Sequence, residues 1–371
     1  MNNKKIVVAG HLCVDITPGF PSGQTKNLSD LLKPGKLLNV NNATVSTGGA
    51  VANTGLALKK LGSDVILMGK IGDDAFGSII EQKFMDYQAD QYLIRSKDES
   101  SSYTIVIAPP GVDRVFLHHM GSNATFRCED LDFDTIAKAS HFHFGYPSIM
   151  RNMYLNDGAE TIRLFQKVKE LGLTTSLDMA AIEDGTEAGA QDWKKMLLNV
   201  LPYVDFFVPS IEELGYMMDH ELYEEWNRRA NGEDITSILD IEQDVKPLAD
   251  TLIEWGAKCV LIKCGAPGMY FKASAPEIMA SIAPEFENWG DQEFFEKSYV
   301  PDRILSGTGA GDTSIAAFLK SAMDGYPAKR CVQLAAATGA CCITAYDALG
   351  GLKPLDELIS RIDAGWAKNE F

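Results

Sequence analysis

Residues 307–314 read GTGAGDTS: three glycines spaced by small residues, then a carboxylate, then a small-residue and apolar run of helical period. Backbone N–H groups of Gly309, Ala310 and Gly311 at a helix start would make an anion cradle, because the first N–H groups of a helix lack partners of their own. Asp312 stands where an anion would repel it. Two readings stay open from this stretch alone. Asp312 caps its helix, as aspartate commonly does, or it belongs to a site for a phosphate-bearing ligand.

A second glycine stretch, STGGAVANTGLALKKLG (46–62), sets Gly48 and Gly49 before a helix of small residues that carries Asn53. Small residues permit close packing, and paired glycines also let backbone approach a ligand. MGKIGDDAFG (68–77) ends a strand in a glycine turn, where Asp73 and Asp74 most simply cap the next helix. The first strand ends in GHLCVD, placing Asp15 just past a sheet edge, where α/β proteins bind ligands. His141 and His143 in HFHFG share one face of a strand. They could ligate a metal, but an inward strand near a cleft accounts for them better. The dinucleotide fingerprint GxGxxG fails at Asp312, no glycine turn carries a Walker lysine, and no HExxH exists.

The elements that must position these groups alternate. Short apolar runs at 6–10, 64–69, 103–108, 141–145, 174–178, 204–209 and 259–265 read as strands, and 50–61, 151–171, 246–256, 313–324 and 327–345 as helices. That order predicts an α/β fold: one Rossmann-like, mostly parallel sheet flanked by helices, in a single domain over 1–371. Two segments break the alternation. Residues 16–47 are loop-rich and end in a strand, and 98–122 hold two strands around Pro-Pro-Gly, so together they form a small β lid. Residues 219–244 read as a polar surface insertion.

Of 371 residues, 46% are hydrophobic and 23% charged, with a net charge of −17 that argues against a nucleic-acid partner. Seven scattered cysteines without a CxxC pair read as reduced thiols of a cytoplasmic protein. The N-terminal apolar run stops after four residues, a strand rather than a signal peptide, and no stretch approaches a membrane span.

The order GxxxxD, then GGxxxN with GxxGxDxxG behind it, then GAGD in the last third, resembles the PfkB/ribokinase family of carbohydrate kinases from Asp15 to about Ala345. The resemblance implies a ribokinase-like core with a β lid over the sugar, and transfer of the ATP γ-phosphate to a hydroxyl of a sugar or sugar-like acceptor. Nucleoside kinases share both signatures, and a catalytically silent sugar-binding protein on this fold is the reading from another class. Asp312 would be the base, and Gly309, Ala310 and Gly311 the anion hole. Asp15, Gly48, Gly49 and Asn53 would hold the sugar. Lys263 and the Gly265–Gly268 turn would lie along the nucleotide, and Glu213 would organise Mg²⁺ through water. Two copies would pair through the lid. The chain departs from the family at Ser210, where NxxE has asparagine, and at Ser306 and Gly307, where Asp-Thr is usual. The second departure implies no strong potassium activation. Absence of a glutamate after HFHFG makes ribose itself a poor expectation.

Overall fold

The first strand, β1 (Ile6–Gly10), reads IVVAG and is buried throughout. Val7 and Ala9 enter one core with Phe142 and Phe144, while Ile6 and Val8 enter a second with Leu67 and Ile315. A strand apolar on both faces must lie inside a sheet covered on both sides, each such side chain contributing about 1.5–3 kcal/mol by leaving water. The computed structural model describes residues 4–21, 28–111 and 115–370. The lid positions 22–27 and 112–114 fall outside the described residues.

The further strands are β2 (Cys13–Gly19), β3 (Asn41–Gly48), β4 (Val65–Gly72), β5 (Ile94–Ser96), β6 (Tyr103–Ile107), β7 (Val115–His119), β8 (His141–Gly145), β9 (Thr174–Asp178), β10 (Phe206–Phe207), β11 (Cys259–Lys263), β12 (Gly268–Ala273) and β13 (Glu293–Lys297). The main sheet runs β13-β12-β11-β10-β9-β8-β1-β4-β5. It is parallel from β11 to β5, and β12 and β13 extend one edge antiparallel. From β1 the chain leaves toward β4 on one side and later returns to β8 on the other. That reversal opens a crevice at the carboxyl ends of β1 and β8, the place where such sheets bind ligands.

The lid is the second sheet, β3-β2-β6-β7. Its strand β2 corrects the loop-rich reading of residues 16–47. CVDITPG carries Pro18 and Gly19 and a poor strand propensity, but pairing with β3 and β6 overrides it. Asn123 fixes the passage from core to lid: fully buried, it donates from Nδ2 to the Leu12 carbonyl at 2.9 Å and accepts from the Leu12 N–H at 3.4 Å.

Other expectations need adjusting. The helix expected at 151–171 spans Arg151–Glu170 but is broken at 155–158, where Asn156, Asp157 and Gly158 take left-handed angles. The helix expected from 313 begins at Ala310 and runs to Met323, so Asp312 lies inside its first turn. The 219–244 stretch is largely exposed but anchored to the core. Its helix His220–Ala230 buries Trp226 completely, and the indole donates to Asp244 Oδ1 at 3.1 Å. Asp74 caps Ala75–Asp86 through the Gly77 N–H as expected, whereas Asp73 instead faces Arg95 at 3.7 Å. No helix among the described residues is long and apolar enough to cross a membrane.

Candidate active site

Asp312 is 5% exposed and does not cap its helix; the cap position is Gly309, at φ 76°, without any side-chain cap bond. Its carboxylate faces sideways, into three donors. Thr54 Oγ1 and Tyr146 OH donate to Oδ1 at 3.2 and 2.8 Å, and Asn53 Nδ2 donates to Oδ2 at 3.1 Å. The first and third come from the helix Ala50–Lys60, whose small residues let it pack close to Ala310–Met323. A nearly buried carboxylate with three donors is held in one orientation. Beside it, the Gly309 and Gly311 N–H groups have no protein acceptor among the described residues, while the Ala310 N–H makes a long bond to the Gly307 carbonyl at 3.3 Å.

The paired glycines are also closely hemmed in by other side chains. A Cβ on Gly48 would run into the Asp15 carboxylate, and one on Gly49 would come within 2.5 Å of the His11 carbonyl and 2.6 Å of its Nδ1. They make room for two side chains, Asp15 on β2 and His11 just after β1. Burial pushes the Asp15 carboxyl above the usual carboxylate range; bonds from Cys13 and Thr104 pull it back, and nearby Asp312 adds to the rise. The Cys13 thiol, itself pushed up by burial and Asp15, donates to Asp15 Oδ1 at 3.4 Å.

These groups line one cavity of about 1700 Å³ between core and lid, with His11, Asp15, Gly49, Asn53, Gly309 and Asp312 among its walls. The lid supplies Thr104 and His118, joined at 3.0 Å. The lining does not include Lys263, Gly265, Gly268 or Glu213, which gather around the end of β11. There Lys263, at the end of β11, pairs with Asp178 at the end of β9 at 2.7 Å, and its stem lies beside Gly311. Burial opposes the Lys263 charge, but Asp178, Glu213 and Asp312 hold its pKa above the ordinary lysine value. Gly265 adopts φ 61° against Thr236, and the turn closes with Cys264 N–H donating to the Gly268 carbonyl at 2.9 Å.

Ser210 has a local explanation. It caps Ile211–Met218, accepting from the Glu213 N–H at 3.2 Å, while Glu213 Oε2 accepts from the Ser210 N–H at 2.7 Å. This capping box turns one Glu213 oxygen back on its own helix. Ser306 likewise bonds Thr308, Oγ to Oγ1, at 3.1 Å.

Sequence reasoning passed over His11, Tyr146 and Asp178. Tyr146 is the residue after β8 and sits at φ 69°; burial, reinforced by Asp312, pushes its phenol far up, so it stays a donor. Only its place at the end of a strand beside β1 could have pointed to it. The strand histidines are core groups. His141 joins Thr174 and Ser176 at 2.7 and 2.8 Å, and His143 joins Ser176 at 2.7 Å. Burial holds His141 down to about 3.

The chain matches the family model described as pfkB family carbohydrate kinase over residues 3–353. An uncharacterized sugar kinase of Archaeoglobus fulgidus is 23% identical over 301 residues, covering 80% of this chain and 98% of its own. The 2-dehydro-3-deoxygluconokinase of Bacillus subtilis is 25% identical over 335 residues, 89% and 90% of the two chains. Among solved structures, Arabidopsis thaliana ribokinase complexed with ribose and ATP superposes with a TM-score of 0.70 at 17% identity, over 96% of this chain and 98% of that one. The last likeness concerns the fold.

Proposed function

This chain belongs to the pfkB family of carbohydrate kinases, and from that premise we propose that it moves the γ-phosphoryl group of ATP to a hydroxyl of a sugar or sugar-like acceptor held under the lid. The observation that carries the reading is the Asp312 carboxylate, oriented by three donors at the cavity wall beside the free N–H groups of Gly309 and Gly311.

In this reading the acceptor lies against Asp15 and Asn53, with Gly48 and Gly49 giving the surrounding side chains their room. Its hydroxyl attacks in line, and Asp312 receives the proton. Phosphoryl transfer has a loose transition state, so the proton leaves late and a weak, ionised base suffices. The N–H groups of Gly309 and Gly311 stabilise charge on the moving phosphoryl group, each such donor typically worth about 3 kcal/mol. Ala310 adds its own once it releases Gly307. Lys263, kept cationic by Asp178, borders the phosphates, and the Gly265–Gly268 turn borders the nucleotide.

The donors on the nucleotide side fit Mg²⁺ held through water, because one Glu213 oxygen is already bonded to Ser210 and Asp178 is committed to Lys263. When bound with ATP, Mg²⁺ neutralises phosphate charge. Ser306 brings a hydroxyl already engaged with Thr308 rather than a carboxylate, which supports weak dependence on potassium.

A nucleoside acceptor is the second reading, favoured by aromatic rings on the cavity wall: His11 lies 5.2 Å from His118 and 6.2 Å from Tyr146, ring centre to ring centre. One assay separates the readings. ADP release from ATP is measured over ketoses, aldoses, sugar acids, inositols and nucleosides. Acceptor-dependent ADP with any sugar supports the first reading, a nucleoside alone the second, and none at all leaves a silent binder.

A further inference from the structure

Tyr146 holds a costly backbone conformation. It follows β8 at φ 69° and ψ 41°, the left-handed region that glycine and asparagine enter easily and an aromatic residue does not. Its neighbours keep it there. Its N–H donates to the Asp178 carbonyl at 3.0 Å, its carbonyl accepts from the Ile149 N–H at 3.2 Å, and Pro147 follows. Strain retained at a cavity wall directs attention to what the side chain does. The ring lies 6.2 Å from that of His11, a contact that phenylalanine would make equally well. What phenylalanine lacks is the hydroxyl, and that hydroxyl donates to Asp312 Oδ1 at 2.8 Å.

The three donors to Asp312 are not shared evenly between its two oxygens. A carboxylate has about four lone-pair positions, two on each oxygen. Oδ1 accepts from both Tyr146 OH and Thr54 Oγ1, at 2.8 and 3.2 Å. Oδ2 accepts from Asn53 Nδ2 alone among the described residues, at 3.1 Å. Oδ1 is therefore filled, while Oδ2 keeps one position open. A proton arriving at Oδ1 would have to displace a hydroxyl; at Oδ2 it displaces nothing. Asn53, Tyr146 and Asp312 all reach the cavity wall, whereas Thr54 is fully buried and holds Oδ1 from the interior.

We propose that Tyr146 is a positioning residue for phosphoryl transfer: with Thr54 it occupies Oδ1 of Asp312 and so assigns the acceptor's proton to Oδ2. In that step the acceptor oxygen bonds to the γ-phosphorus and the bond from that phosphorus to the bridging oxygen breaks. ADP leaves with the electron pair, and the acceptor's proton passes to Oδ2. The inference rests on the kinase reading above and adds to it the atom that takes the proton and the residue that keeps the other atom out of the reaction.

The test uses the full-length enzyme with ATP and its best acceptor, in wild type, Tyr146→Phe, Thr54→Val and the double variant, with unfolding temperatures recorded for each. Either single variant leaves one hydroxyl on Oδ1, so kcat should fall about 3- to 10-fold with both KM values within about two-fold. The double variant frees Oδ1 and lets the carboxylate turn, and its kcat should fall at least about five-fold beyond the product of the two single effects. A merely structural role would lower the unfolding temperature and spare kcat. An unchanged or raised kcat in Tyr146→Phe, or single effects that simply multiply, overturns the inference and leaves the kinase standing. So does an acceptor KM raised more than about ten-fold with kcat intact, because Tyr146 would then bind the acceptor instead of holding the base. Tyr146→Phe is also read by itself, so its kcat decides the matter where the double variant does not fold. No turnover of wild type with any acceptor brings down the kinase reading and this inference with it.

Discussion

Replacing Asp312 by asparagine removes the charge and keeps the shape. Its carboxylate accepts bonds from Thr54, Tyr146 and Asn53. Bonds to a charged group contribute about 1.5–3 kcal/mol and neutral ones about 0.5–1.5, so converting three forfeits about 3 kcal/mol. Against this, the variant no longer holds an ion in a site 5% exposed, a cost of several kcal/mol in its own right. Both hydroxyls can rotate to accept, and the Asn53 amide can turn its oxygen toward the new NH₂. The two effects nearly cancel, and Asp312→Asn should be folded, with a midpoint of thermal unfolding within a few degrees of wild type. Turnover should not survive so well. A positioned general base contributes about 10²- to 10⁴-fold, or about 3–5 kcal/mol of barrier. The assay is coupled ADP release at saturating ATP and acceptor, with calorimetry for ATP and acceptor binding. The expected result is kcat down by at least about 100-fold with both affinities within about three-fold. A variant that keeps more than a tenth of wild-type kcat would refute the base assignment, since the carboxylate would then be a structural anchor for Asn53, Thr54 and Tyr146.

Three further outcomes follow from other residues. Gly49→Ala puts a Cβ at φ 86° against His11; the strain should cost about 1–3 kcal/mol and raise the acceptor KM at least about ten-fold with the ATP KM unchanged, and an unaltered acceptor KM would separate this wall of the cavity from the acceptor. Asp15 has its folded pKa raised by burial, so its charge destabilises the fold above the unfolded value near 4 and has no effect below it. Asp15→Asn should therefore raise the unfolding temperature at pH 7 but not at pH 3, while weakening acceptor use; equal effects at both pH values would contradict the buried charge. On one face of the lid Val45, Ile16, Ile105 and Leu117 stand in register, with Val45 and Leu117 49% and 51% exposed. Sedimentation should find a dimer that Leu117→Asp dissociates, and a monomeric wild type at tens of micromolar would end that reading.

Much of this protein is written in local pattern. Runs such as IVVAG, HFHFG and TTSLD became strands at the expected places because a run apolar on both faces has one stable home, the interior of a covered parallel sheet. GTGAGDTS declared a helix start with unpartnered N–H groups, and its pairing with GGAVAN marked the family, since turn glycines and cap chemistry act over a few residues. What the chain's own order could not say is which distant groups would meet. Asn53 and Asp312 are 259 residues apart and touch only because two helices of small residues cross. Strand β2 exists only through its neighbours, and Trp226 is inside only because the acidic helix around it folds against the core. Glu213 was legible as the glutamate of an NxxE-like motif, but its capping box with Ser210 needed the backbone geometry. His11 is the sharpest instance. Nothing in GHLCVD distinguishes it, and only the packed fold closes both its nitrogens to water, leaves them without a partner among the described residues and sets the residue at the cavity wall.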